Sequence, residues 1–167
     1  VRTMARKWTA VLARLGVPTG DDRILAEGGI TSRSLPLPLL WQRESSDGHG
    51  GAMVVGRIES ISFANGMVTA TGSMLESAPF EVYDMMDAGV IGPSVDLDDI
   101  EYVMDAQENI VITQGRVAGA TLVAIPAFAD VGITLDPAAV EPVATEPEWA
   151  YALKTFGLTA SAALAAE

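Results

Sequence analysis

The strongest constraint on the fold is a pair of alternating segments joined by an Asn-Gly turn. Residues 53–63 and 67–74 place apolar and polar side chains in alternation, which is the period of a half-buried β-strand. Between them lies Ala64-Asn65-Gly66, and an Asn-Gly pair tolerates the positive φ of a tight turn. The sequence therefore predicts a β-hairpin near the middle of the chain.

Further strands are predicted on both sides of this hairpin, over residues 7–15, 94–104, 110–113 and 117–125. The run 35–41 is apolar but holds two prolines. Because proline cannot donate a ladder hydrogen bond, this run is predicted to be an extended edge segment. A count of about seven short strands favours a mainly β fold, a barrel or a sandwich.

One internal helix is predicted between the hairpin and the next strand. Ser77 is a candidate N-cap, and Gly89 is placed to end the helix. The last part of the chain differs in composition from the rest. Residues 1–136 are predicted to form the folded domain, 137–148 a linker rich in Pro, Glu and Ala, and 149–167 a short helical tail.

The composition excludes several classes of chemistry. Apolar residues make up 49% of the 167 residues, so a core forms without metal or disulfide support. There is no cysteine and one histidine, which leaves no thiolate nucleophile and too few ligands for a zinc site. No cofactor or metal is expected. No apolar run approaches the length of a membrane span.

Charge is distributed unevenly. Residues 1–57 contain eight Lys or Arg and five Asp or Glu, whereas residues 58–167 contain two and seventeen. An acidic surface repels nucleic acid, so nucleic-acid binding is not expected. Solubility explains such a surface, and so does a basic partner.

His49 and Ser94 are the candidate catalytic pair. A serine nucleophile needs a base that works near neutral pH, and histidine is the side chain suited to that role. His49 lies in a turn among Gly48, Gly50 and Gly51, and Ser94 follows a Gly-Pro corner that opens a predicted strand. A solvated histidine and an ordinary strand serine are the alternative interpretations.

Charged residues around Ser94 supply further candidates. Strand alternation puts Asp96 and Asp98 on the same face as Ser94, where a carboxylate would orient the histidine and stabilise its charged form. A solvated acidic face is the alternative. Arg116 is one of two basic residues after position 57. It either pairs with a carboxylate or lies near a developing negative charge.

Four segments together resemble the prohead, or capsid maturation, proteases of tailed phages, in particular those of actinobacteriophages. These segments are residues 16–21, 35–58 with Gly48-His49-Gly50, 89–99 around Ser94, and 119–128. The resemblance covers about residues 8–135. It implies a β-barrel with surrounding helices, like that of the herpesvirus assemblins.

The resemblance also implies a function. It implies a serine endopeptidase, located in the host cytoplasm inside the immature capsid, which cuts scaffold segments, the major capsid protein and itself. His49 takes the position of the general base and Ser94 that of the nucleophile, with backbone N–H groups and Arg116 as candidates to support the oxyanion. A homodimer is implied as well.

The third catalytic member is left open. Many prohead proteases carry a glutamate in the strand after the serine, and the corresponding residue here is Gly119. Asp98 is the first candidate, and Asp96 and Thr121 are the alternatives. The competing functional hypothesis is a protease-like domain without activity that serves as a scaffold or capsid-assembly protein.

Overall fold

The computed structural model describes residues 5–43 and 51–137. Strands account for 56% of these residues and helix for 8%, so the fold is mainly β. The elements in chain order are β1 (Lys7–Arg14), β2 (Arg23–Leu25), β3 (Ile30–Ser32), β4 (Leu37–Trp41), β5 (Met53–Ala64), β6 (Met67–Met74), α1 (Phe80–Ala88), β7 (Gly92–Met104), β8 (Ile110–Val123) and β9 (Gly132–Leu135).

The nine strands belong to one sheet that is organised around β8. Along one edge β8 pairs antiparallel with β7. Along its other edge it pairs in parallel with β2, β3 and β4 in succession. From β4 the sheet continues through β5, β6, β1 and β9. The strand β8 therefore joins β7 to the rest of the sheet.

The sheet curls into a half-barrel. Its inner face carries the buried core, including Trp8, Leu39, Ile58 and Leu122, and α1 adds buried side chains to the same core. Both β1 and β9 approach β7 across the opening. Within the described ranges no ladder joins β7 to β9, so the sheet is curled but not closed there.

The predicted hairpin is confirmed. Strands β5 and β6 pair antiparallel from Gly56 opposite Met74 to Ala64 opposite Met67. Asn65 and Gly66 have φ values of 54° and 69°, as an Asn-Gly turn requires. Gly89 ends α1 in the left-handed conformation, as predicted.

Three expectations about local structure are wrong. The segment 35–41 is not an edge, because β4 lies between β5 and β8, and the pairing with β8 begins at Leu39, after both prolines. Ser77 does not cap α1, whose N-cap residue is Pro79. Residues 110–113 and 117–125 are not separate strands, because β8 runs without a break from Ile110 to Val123.

Several other predictions lie outside the described residues. These are His49, most of the linker and the helical tail at 149–167. The first of the chain's two units ends at Pro137, and only that unit is described. Within the two described ranges, no helix has the length and apolarity that crossing a membrane needs.

Close packing at Gly72 gives a test of the sheet. A Cβ atom there would lie 1.9 Å from the Arg57 carbonyl oxygen and 2.6 Å from Trp8 Cζ2. We expect Gly72→Ala to lower the free energy of unfolding by about 2 kcal/mol or more, because the core would be overpacked. The control is Gly132→Ala, where a Cβ meets nothing within 4 Å, with an expected change under about 0.5 kcal/mol. Equal urea midpoints for the two variants would contradict this packing.

Candidate functional site

Ser94 lies near the start of β7, directly opposite Thr121 on β8. The next residues on β7 alternate between the two faces of the sheet. Val95 and Leu97 pack against the core, so Ser94, Asp96 and Asp98 lie on the opposite face. This second face, opposite the core, is called the outer face below. Ser94 is half-buried on it.

Beside Ser94, the hydroxyl of Thr121 donates a hydrogen bond of 2.7 Å to Asp96 Oδ2. Thr121 is fully buried. A buried hydroxyl without a partner would be costly, and the carboxylate removes that cost. The bond also fixes one oxygen of Asp96 beside the hydroxyl that faces Ser94. The structure therefore brings together three of the residues singled out in the sequence, namely Ser94, Asp96 and Thr121.

Position 119 on β8 has no room for an acidic side chain. It lies directly opposite Asp96. A Cβ on Gly119 would lie 2.8 Å from the Pro38 carbonyl oxygen and 3.2 Å from Pro38 Cγ. No larger side chain fits there unless β4 moves. The acidic side chain that the resemblance expects at this position on β8 is excluded, and its cross-strand neighbour Asp96 is itself acidic.

A β-bulge separates Asp96 from Asp98. The register skips Ala118, so Gly119 is opposite Asp96 while Arg116 is opposite Asp98. Arg116 Nε donates a hydrogen bond of 3.0 Å to Asp98 Oδ1, and the Arg33 guanidinium forms an ion pair with Asp98 Oδ2. Asp98, Arg116 and Arg33 form an ion cluster, and its member on β7 lies farther along that strand than Asp96.

The ion cluster fixes the charge state of its acidic member. The hydrogen bond from Arg116, with a smaller contribution from Arg33, holds the pKa of Asp98 below its ordinary value, although partial desolvation opposes the shift. Arg116 also contacts Asp99 Oδ2 at 2.8 Å. Both charges of the Asp98–Arg116 pair are therefore matched within the cluster.

The ion cluster lies away from Ser94. Asp98 is four residues beyond Ser94 on β7, a separation of about 13 Å along a strand, whereas Asp96 is about 7 Å away. The structure thus ties Asp98 to two arginines and directs Arg116 towards Asp98 and Asp99. It does not bring Asp98 or Arg116 to Ser94.

His49 lies outside the described residues, but the strands on both sides of it are described. Trp41, at the end of β4, pairs with Met53 at the start of β5 and with Leu122 on β8. Leu122 in turn pairs with Pro93, the residue before Ser94. The connection that contains His49 therefore begins and ends in the same transverse row of the sheet as the residue next to Ser94.

The basic side chains of the described ranges are neutralised. Each of the eight lies within 4.0 Å of a carboxylate. The pairs are Arg6–Asp87, Lys7–Glu59, Arg14–Asp130, Arg23–Asp21, Arg33–Asp98, Arg43–Glu81, Arg57–Glu59 and Arg116–Asp98. Counterion release by unpaired Lys and Arg drives phosphate binding, whereas each basic side chain in the described ranges has a carboxylate partner.

A second buried hydroxyl on the outer face has the same type of partner as Thr121. Ser73 is 1% exposed and donates a hydrogen bond of 2.8 Å to Glu59 Oε1. Lys7 and Arg57 also contact Glu59. The hydrogen bonds from Lys7, Ser73 and Arg57 lower the pKa of Glu59 to about 2, against partial desolvation.

No group of three or more His, Cys, Asp or Glu side chains that could hold a metal ion occurs in the described part of the chain. The sequence had no signal for the Asp98–Arg33 contact, which joins residues far apart in the chain, or for the bulge that separates Asp98 from Asp96. The proximity of Thr121 to Asp96 likewise depends on the register of β7 against β8.

No family model matches the chain, and no curated protein is significantly similar to it. The resemblance to prohead proteases therefore rests on the sequence motifs.

The Glu59 network predicts a dependence of stability on acid. Because the pKa of Glu59 is lowered from 4.5 to about 2, its stabilisation is complete above the unfolded value and is lost as the pH falls towards 2. We expect Glu59→Gln to lose less stability than the wild type between about pH 5 and pH 3, by about 1 kcal/mol after allowance for solvent screening.

Urea unfolding at the two pH values measures this difference. The control is Glu101→Gln, which replaces an exposed glutamate on β7 and should follow the wild type. If Glu59→Gln and the wild type lose equal stability on acidification, Glu59 does not carry the proposed charge-assisted bonds.

Proposed function

We propose that the chain is a serine endopeptidase of the prohead maturation type, with Ser94 as nucleophile, His49 as general base and Asp96 as the acidic third member. The observation that carries the proposal is the hydrogen-bonded Thr121–Asp96 pair beside Ser94. A half-buried serine on a strand, next to a fixed carboxylate, is the arrangement that a triad needs once an imidazole is added.

The position of the β4–β5 connection supports His49 as the base. At about 4.8 Å between neighbouring strands, Trp41 lies about 10 Å from Pro93 and Met53 about 14 Å from it. His49 comes four residues before Met53, and four residues span up to about 14 Å. From both ends of the connection, therefore, the chain is long enough for the imidazole to reach Ser94.

The chemistry follows from these three side chains. His49 takes the proton of the Ser94 hydroxyl as Ser94 Oγ attacks the peptide carbonyl carbon. The resulting imidazolium gives that proton to the leaving amine, and an acyl-enzyme forms. Water, deprotonated by His49, then attacks the acyl group. The imidazolium returns the proton to Ser94 Oγ as the bond from Oγ to the acyl carbon breaks, which releases the carboxylic acid and free Ser94.

Asp96 is proposed to hold the imidazole in the productive tautomer and to stabilise its positive charge. Thr121 fixes the Asp96 carboxylate through the 2.7 Å bond. Asp96 is preferred to Asp98 because Asp98 is paired with Arg33 and Arg116. An acidic side chain at position 119 is excluded, because Pro38 occupies the space that it would need.

The remaining parts of the proposal follow from the resemblance. We propose an assemblin-like fold, scaffold and major capsid protein as substrates, and the interior of the immature phage capsid as the location. The curled β half-barrel with the serine on its outer face supports the fold. The neutralised basic side chains suit an enzyme that shares a compartment with incoming DNA without binding it.

Reaction with a fluorophosphonate tests the nucleophile without knowledge of the substrate. We expect intact mass to show one phosphonyl adduct on the wild type, mapped to Ser94, because an activated serine attacks phosphorus as it attacks a carbonyl. Ser94→Ala and His49→Ala should remain unlabelled. Ser62→Ala, which replaces an exposed serine on β5, should label like the wild type. No adduct on the wild type would favour the assembly-protein hypothesis.

The same labelling rate separates the two candidate acids. We expect Asp96→Asn to slow labelling by roughly 10²-fold or more, since loss of the triad carboxylate has costs of that order. Asp98→Asn removes an equally charged neighbour on the same face and should change the rate less than about threefold. Slowing by Asp98→Asn alone would assign the role to Asp98, and equal slowing by the two variants would contradict the choice of Asp96.

A further inference from the structure

An apolar groove lies at the end of the sheet where β7 begins. Its volume is about 800 Å³, within the range of clefts that bind small ligands. Three connections form its walls, namely residues 17–20 between β1 and β2, 89–92 between α1 and β7, and 124–131 between β8 and β9. These three walls define the apolar groove.

The apolar groove adjoins Ser94. Gly92 lines the groove, lies two residues before Ser94 on β7, and shares its face of the strand. That separation is about 7 Å. A Cβ on Gly92 would lie 2.8 Å from Pro126 Cγ, so the Pro126 ring covers the strand directly beside the nucleophile. A peptide bound at Ser94 therefore meets the groove within one or two residues of the scissile bond.

The walls of the apolar groove are held in place by contacts within the fold. Gly20 N–H donates a hydrogen bond of 3.2 Å to the Ala127 carbonyl oxygen and joins two of the three connections. Phe128 is 7% exposed and anchors the β8–β9 connection in the core. A preformed cleft loses less entropy when it binds a peptide than a cleft that has to order itself first.

The chemistry of the walls selects the occupant. Ile125, Val90 and Val17 line the groove and are 89%, 57% and 46% exposed. The two charged residues in the lining, Arg14 and Asp130, neutralise each other at 2.6 Å. Burial of aliphatic side chains against these residues is favourable, and burial of an unpaired charge is not.

We propose that the apolar groove is a specificity subsite for aliphatic side chains of the substrate, on one side of the bond that Ser94 attacks. This inference rests on the proposed protease function and adds the class of peptide that the site accepts. The occupant is an extended segment with Val, Leu, Ile, Met or Ala close to the scissile bond, and acidic or basic residues are disfavoured there.

The test is cleavage of a synthetic peptide library, with all side-chain classes at each position, read by mass spectrometry. We expect the wild type to cut peptides with an aliphatic residue at one fixed position next to the cleaved bond. Val90→Ser and Ile125→Ser should lower kcat/KM for these peptides about tenfold, mainly through KM, because the pocket loses aliphatic contact. Both side chains are exposed, so folding should be retained.

Two controls separate binding from chemistry. Val103→Ser replaces a valine that is 53% exposed near the far end of β7 and should leave kcat/KM unchanged. The fluorophosphonate rate, which needs no peptide side chain, should be unchanged in both groove variants. Cleavage without aliphatic preference, or with KM unaltered in the groove variants, would overturn the subsite alone. Absence of both labelling and cleavage by the wild type would remove the proposed function and the subsite with it.

Discussion

Pairing of β8 along both of its edges organises the sheet. This strand pairs with β7 on one edge and with three short parallel strands on the other. Because β4 is one of those partners, the β4–β5 connection and Ser94 belong to neighbouring parts of the sheet. Without β8 the strand that carries Ser94 and the connection that contains His49 would not be joined in one sheet.

The same strand also leaves no room for a side chain at one position of the outer face, next to Asp96. Pro38 on β4 fills the space above Gly119, so β8 cannot carry a side chain at that position. Asp96, across the ladder on β7, places a carboxylate next to Thr121 instead. The outer face therefore has a hydroxyl and a carboxylate beside Ser94.

Much of the fold could be predicted from period-two patterns and turn residues, as the hairpin at Asn65-Gly66 and the end of α1 at Gly89 show. The sequence was misleading where tertiary pairing overrides a local rule. Proline at 36 and 38 suggested an edge, yet β4 is internal because its ladder with β8 starts after Pro38. Strand alternation placed both Asp96 and Asp98 on the same face as Ser94 and could not distinguish between them. The ion pair with Arg33, which directly follows β3, and the bulge at Ala118 distinguish them. Neither feature is marked by a local pattern in the sequence.

In the proposed triad Asp96, and not Asp98, is the charged neighbour of His49. The chain has one histidine, so its imidazole can be titrated by NMR without overlap. We predict a pKa above the ordinary value of about 6.5 in the wild type and in Asp98→Asn, and a value about one unit lower in Asp96→Asn, since a nearby carboxylate favours the imidazolium. An imidazole pKa that is the same in the wild type and in Asp96→Asn would contradict the claim.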